Sequence, residues 1–130
     1  MSILRTREQQ IATRAANCIS EVKQEEKLAK RYGTLARKLP SLVLTNGLGQ
    51  TLAFLKSKGY RQGTPKPDAA EALIYKHLCG HLLTSKDSDL LDTIMGENSL
   101  EYRYHTAEAL AFAGWLKRFA EAELEAEEAA

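Results

Sequence analysis

Apolar residues recur at three- and four-residue intervals along almost the whole chain. Nowhere does a Val/Ile/Thr-rich stretch alternate as a half-buried strand would. The spacing predicts a first helix over about 3–23, with Ile11, Ala15, Ile19 and Val22 on its inner face. A shorter helix follows over about 25–38, with Leu28, Tyr32 and Leu35 inward. Pro40 reads as a separator, because it biases Leu39 away from helical backbone and is tolerated in the first turn of a new helix. Residues 39–58 then form the most apolar run, in which Leu44, Leu48, Leu52 and Leu55 share one face. Gly47 and Gly49 interrupt it. Two helical glycines cost about 2 kcal/mol relative to alanine, which predicts a tight crossing by another helix.

Residues 59–67 carry two glycines and two prolines and cannot be crossed by a helix. The next helix is expected to start around Asp68, with Ala69, Ala72, Leu73, Leu78 and Leu82 as its apolar contacts. Residues 85–89 form a polar break, where Ser88 or Asp87 is expected to cap the helix beyond. Leu90, Leu91, Ile94 and Met95 make a short amphipathic helix closed by Gly96. Asn98 and Glu101 have the spacing of a capping box. The last helix is predicted from Ser99 to the mid-120s, with Tyr104, Ala111, Trp115 and Phe119 along one stripe, widened by Leu116 and Leu124. Acids crowd residues 121–130, at the negative end of a helix dipole. They call for a basic partner or for a frayed, solvated end near 125–130. The fold class is all-α: a single compact bundle of about five to six helices over residues 1–130.

Composition narrows the class. The chain has 130 residues, 44% hydrophobic and 27% charged, which fits one domain with one core and argues against global disorder. No apolar run reaches the roughly 18 residues of a membrane span, and the first residues lack an apolar signal core. Cys18 and Cys79 are too few for a disulfide framework and fit reduced thiols in a cytoplasmic protein. The net charge of +1 hides an asymmetry. Residues 1–66 hold 13 Lys/Arg and 4 Asp/Glu, residues 67–130 hold 5 and 13, so the halves carry +9 and −8. Such a chain can attract a polyanion with one region and a basic protein, or a copy of itself, with the other. Alternatively the halves neutralise each other inside one fold.

Little catalytic chemistry is visible. His77 and His81 share a helical face at a spacing that can offer two ligands to a metal, but no third ligand is evident. Asp87, Asp89 and Asp92 match no calcium loop, and the chain has neither a nucleophile elbow nor a phosphate loop. These absences argue against an enzyme, and no cofactor is expected. The basic residues are the stronger signal. Lys27, Lys30, Arg31, Arg37 and Lys38 fall within a few turns, and Lys56, Lys58, Arg61 and Lys66 follow the apolar helix. On a bundle the two groups could meet at one end and grip nucleic-acid phosphates without reading bases. A helical DNA-binding regulator and a protein-interaction adaptor are the competing classes.

Two segments carry a resemblance. Pro40-Ser41-Leu42-Val43-Leu44-Thr45-Asn46-Gly47-Leu48-Gly49-Gln50-Thr51-Leu52-Ala53-Phe54 resembles the proline-to-Asn-Gly-Leu-to-Ala-Phe signature of the small helical subunit of the Cmr complex, the type III-B CRISPR RNA-guided effector. Ala107-Glu108-Ala109-Leu110-Ala111-Phe112-Ala113-Gly114-Trp115-Leu116-Lys117-Arg118-Phe119-Ala120 resembles that family's closing helix. The resemblance implies a non-catalytic subunit in antiviral defence, whose copies stack along larger backbone subunits and line the channel for guide RNA and target RNA. It implies Leu44, Leu48, Leu52, Phe54, Trp115 and Phe119 as core and Gly47 as close packing. It transfers no RNA-facing position. The RNA-contact set Lys27, Lys30, Arg31, Arg37, Lys38, Lys56, Lys58 and Arg61 rests on charge alone.

Overall fold

The Thr6 side chain starts the first helix by accepting a hydrogen bond from Gln9 N (3.1 Å), while Gln9 Oε1 accepts from Thr6 N (2.9 Å). Here, as throughout, the computed structural model describes residues 6–83, 85 and 88–127. Helix α1 spans Arg7–Lys23 and buries Ile11, Ala15, Ile19 and Val22, the face its spacing predicts. The expected start near Ile3 lies outside the described residues.

Helix α2 spans Glu26–Asn46 and runs straight through Pro40, so the predicted separation there does not occur. The inner face explains why. Leu35, Leu39 and Val43 are all at least 96% buried and form one continuous stripe across the proline. Burying three such side chains contributes about 1.5–3 kcal/mol each, more than the roughly 3 kcal/mol an interior proline costs. The break comes at Gly47, whose φ of +89° and ψ of +159° suit only glycine. Helix α3, Leu48–Gly59, leaves in a new direction. Leu48, Leu52 and Leu55 are fully buried, but Leu44 belongs to the helix before the break and is 72% exposed. It is therefore not core, and the expected four-leucine face is divided by the turn.

Close approach falls at other glycines, Gly33 and Gly59. A Cβ on Gly59 would collide with the backbone of Ala72 where α3 crosses the next helix. At Gly47 and Gly49 a Cβ would meet only the Tyr102 hydroxyl, at an ordinary 3.5 Å. Gly47 is required for its backbone angle, not for packing.

Residues 59–67 contain a small antiparallel hairpin that the helical periodicity did not anticipate: β1 (Tyr60–Arg61) pairs with β2 (Thr64–Pro65). Gln62 and Gly63 both have positive φ, as a tight two-residue turn demands. Helix α4 spans Ala70–Leu82 and α5 spans Leu90–Met95. The cap of α5 is Asp89, which accepts from Asp92 N; Ser88 does not serve, and Asp87 lies outside the described residues. Asn98 and Glu101 close the expected capping box, and α6 runs Ser99–Glu123.

Helix α6 packs along both α1 and α2, α3 packs on α4, and α2 joins the two layers. The buried face of α6 is Ala109, Phe112, Ala113, Leu116 and Ala120, so the predicted stripe was rotated. Tyr104 is 60% exposed and Ala111 is exposed, while Trp115 and Phe119 stack on each other at the rim, half-buried, at 5.6 Å. The alanines let α6 approach two helices closely, and the bulky rings are displaced to the edge of the contact. Phe54 is likewise only half-buried. Among the described residues no helix is long and apolar enough to cross a membrane.

Candidate nucleic-acid interface

Lys27, Lys30, Arg31 and Lys38 fall at helical intervals on the face of α2 opposite its buried stripe, with Arg37 beside them. Lys27 and Lys38 are exposed and have no anionic partner among the described residues. The other three face acids or carbonyls of the same chain. Lys30 Nζ lies 3.6 Å from Glu125 Oε2. Arg31 donates from Nη2 and Nε to Glu71 Oε2 (2.9 and 3.3 Å) and from Nη1 to Glu127 Oε1 (3.1 Å), bonds that raise its pKa. Arg37 Nη2 donates to the carbonyl of Leu124 (2.9 Å) and reaches that of Ala120 (3.5 Å), neutralising the carbonyl end of α6.

Residues 124–127 are therefore held against α2. Leu124 is buried, and Glu127 N donates to Thr34 Oγ1 at 2.8 Å. The basic partner that the acid-rich end calls for is α2. Residues 128–130 of the expected frayed end lie outside the described residues.

The second basic group divides in the same way. Lys56 is tied into the fold: its Nζ lies 3.1 Å from Asp89 Oδ2 and 5.5 Å from the ring centres of Tyr60 and Tyr75. Lys58 and Arg61 are exposed on the α3 end and the hairpin, and Lys66 Nζ donates to the Lys58 carbonyl (3.2 Å). Glu25, Leu28, Tyr60, Lys66 and Lys76 line one groove, and Lys27 lines the depression beside it with Pro67. Lys27, Lys66 and Lys76 thus lie near one another at one end of the bundle, but among acids: Glu21, Glu25, Glu26 and Asp68 line the same two depressions. Lys38 stands about 16 Å along α2 from Lys27. Sequence reasoning missed Lys76, because nothing local links α4 to this end, but its Nζ lies 3.8 Å from Glu21 Oε1 and is not a free cation.

The histidines do other work. His77 Nε2–H donates to Glu21 Oε2 (2.8 Å) and its Nδ1 accepts from the Tyr32 hydroxyl (2.7 Å), so both ring nitrogens are engaged. Burial lowers the His77 pKa, and the bond from His77 lowers that of Glu21. His81 stacks on Phe112 at 4.6 Å with Arg14 beside it; burial, then the Arg14 charge, depress its pKa to about 4. No three His, Cys, Asp or Glu among the described residues could hold a metal. Burial pushes the half-buried Cys18 thiol up to about 11. Helix α3, which would have to serve as a DNA-recognition helix after the short turn at Gly47, has its face packed on α4.

Residues 7–123 match the family model of the CRISPR-associated protein Cas_Cmr5. The chain is 35% identical over 123 residues to the CRISPR system Cmr subunit Cmr5 of Thermus thermophilus, covering 94% of this chain and 99% of that protein. This chain belongs to the Cmr5 family. The X-ray crystal structure of a CRISPR-associated Cmr5 family protein from Thermus thermophilus matches it with a TM-score of 0.72 at 34% identity, over 93% of this chain and all of that one. The resemblance seen in residues 40–54 and 107–120 thus marks true membership of the Cmr5 family, and the all-helical fold follows with it. The matched region runs from the start of α1 to the last residue of α6, and it ends where the chain turns onto the basic face of α2.

Proposed function

We propose that this chain is a non-catalytic small subunit of a type III-B CRISPR ribonucleoprotein of the cytoplasm, packed against other Cmr subunits and against copies of itself. In this reading its basic face touches the sugar-phosphate backbone of guide RNA and target RNA. The supporting observation is that Lys27, Lys38, Lys58 and Arg61 stand exposed, without anionic partners among the described residues, on a Cmr5-family body. Cations of this kind bind phosphate without selecting bases. Contact with about 3–4 phosphates gives a log–log salt slope of only about −2 to −3 for a single strand. One copy therefore binds weakly, and repetition along an assembly raises the effective strength.

The test is Lys27→Glu with Lys38→Glu. Neither residue holds the fold together, so the subunit should keep its helicity. In a filter-binding titration at low salt, the assembled complex should bind RNA more weakly, with a salt slope shallower by about 1. Unchanged affinity would reject the α2 face as an RNA contact.

A further inference from the structure

We propose that residues 125–127, hinged at the buried Leu124, are a latch: they cover the middle of the cationic α2 face in the free subunit and are displaced when an RNA backbone takes that face. The inference rests on the RNA-contact reading above and adds its regulation. Between Lys27 and Lys38, the α2 face is occupied by the chain's own acidic segment. Glu125 meets Lys30, Glu127 meets Arg31, and the Leu124 carbonyl meets Arg37. Two features show that the seat is shaped for it. Gly33 is buried where α2 meets this segment, at the edge of the cationic face, and a Cβ there would collide with the Glu125 carbonyl oxygen. Arg37 Nη1 is buried beside it without a hydrogen-bond partner, so one guanidinium donor is left for a stronger anion.

The two ion pairs are easily released, whereas Leu124 stays buried with its carbonyl on Arg37. The Lys30–Glu125 side chains are 64% and 79% exposed, and those of Arg31 and Glu127 are 40% and 46% exposed. Exposed ion pairs are individually weak and screened by salt. An RNA strand presents the same kind of negative charge repeatedly, so it competes for the face as a whole. The latch then lowers apparent affinity in proportion to the fraction of time it is closed.

The experiment is a fluorescence-anisotropy titration of the full chain with labelled oligouridylate at about 50 mM salt. Glu125→Gln with Glu127→Gln should tighten binding by about 3- to 10-fold. Glu8→Gln with Asp92→Asn alters net charge equally away from α2 and should give a clearly smaller gain. Gly33→Ala removes the seat without changing charge while favouring the helix, and it should also tighten binding. Should Gly33→Ala prove misfolded by circular dichroism, the paired Gln variant carries the test. If the latch variants bind like the unaltered chain while Lys27→Glu/Lys38→Glu binds more weakly, the face contacts RNA and the latch is overturned. If the Lys variants also leave affinity unchanged, the RNA contact itself fails and takes the latch with it.

Discussion

Phe112 and Trp115 show how far a side chain's role departs from its size. Both are aromatic and both lie on α6, yet Phe112 is fully buried against His81 and Trp115 sits half-exposed against Phe119. Truncation should follow burial. Phe112→Ala is expected to cost about 3–5 kcal/mol, and Trp115→Ala about half of that, in denaturant melts. Equal losses would mean that the Trp115 ring belongs to the core after all. The periodicity of α6 was legible in the sequence, but its phase was not. Phe112 and Trp115 both satisfy helical spacing, and the choice fell to the alanines at 109, 113 and 120, which set how closely α1 and α2 approach.

At the scale of an element, the decisive event is the turn at Gly47. Pro40 was the stronger breaker by propensity, but the burial of Leu35, Leu39 and Val43 overrides it. Gly47 and Gly49 then act in opposite senses. Gly47→Ala should destabilise by about 1–3 kcal/mol, because its φ of +89° with extended ψ excludes a side chain. Gly49→Ala should be neutral or stabilising by up to about 1 kcal/mol, since its Cβ has room and the residue is helical. Thermal melts of the two variants would separate these signs, and destabilisation by both would restore the close-packing role for the pair. The capping box at Asn98 was readable because caps are local chemistry, whereas Gly96 follows α5 as expected but with φ −92°, not the left-handed angle of a glycine cap. The hairpin at Tyr60 escaped because two-residue strands leave no periodicity to read.

For the whole molecule, two buried histidines and the exposed carboxylate that one of them meets tie stability to pH. Glu21, Tyr32 and His77 link α1, α2 and α4, and His81 packs on α6 at Phe112 with Arg14 and, further out, Arg7 and Glu108 around it. His81 has a pKa of about 4 in the fold against an ordinary 6.5. Above about pH 6.5 it is neutral in both states. Below that, the unfolded chain takes up a proton that the fold refuses, so stability falls as pH drops from 6.5 towards 4. His77 is shifted in the same direction, and the depressed Glu21 adds a further loss below its ordinary value of 4.5. Urea melts at pH 7 and pH 5 should differ by about 1–2 kcal/mol. His81→Gln should narrow that gap, and an unchanged gap would remove His81 as its source.

Helix content, the capping box at Asn98 and family membership were determined by the sequence alone, because each rests on residues close together in the chain or on a motif read in order. The charged halves were visible too, as +9 and −8. Their meeting place was not. Only the tertiary structure decided that Lys30, Arg31 and Arg37 face the chain's own acidic end, leaving Lys27 and Lys38 exposed on either side. The physical reason is that charge can be counted along a chain, whereas its neutralisation depends on which helices pack together. Here the buried stripes of α2 and α6 bring those ends into contact.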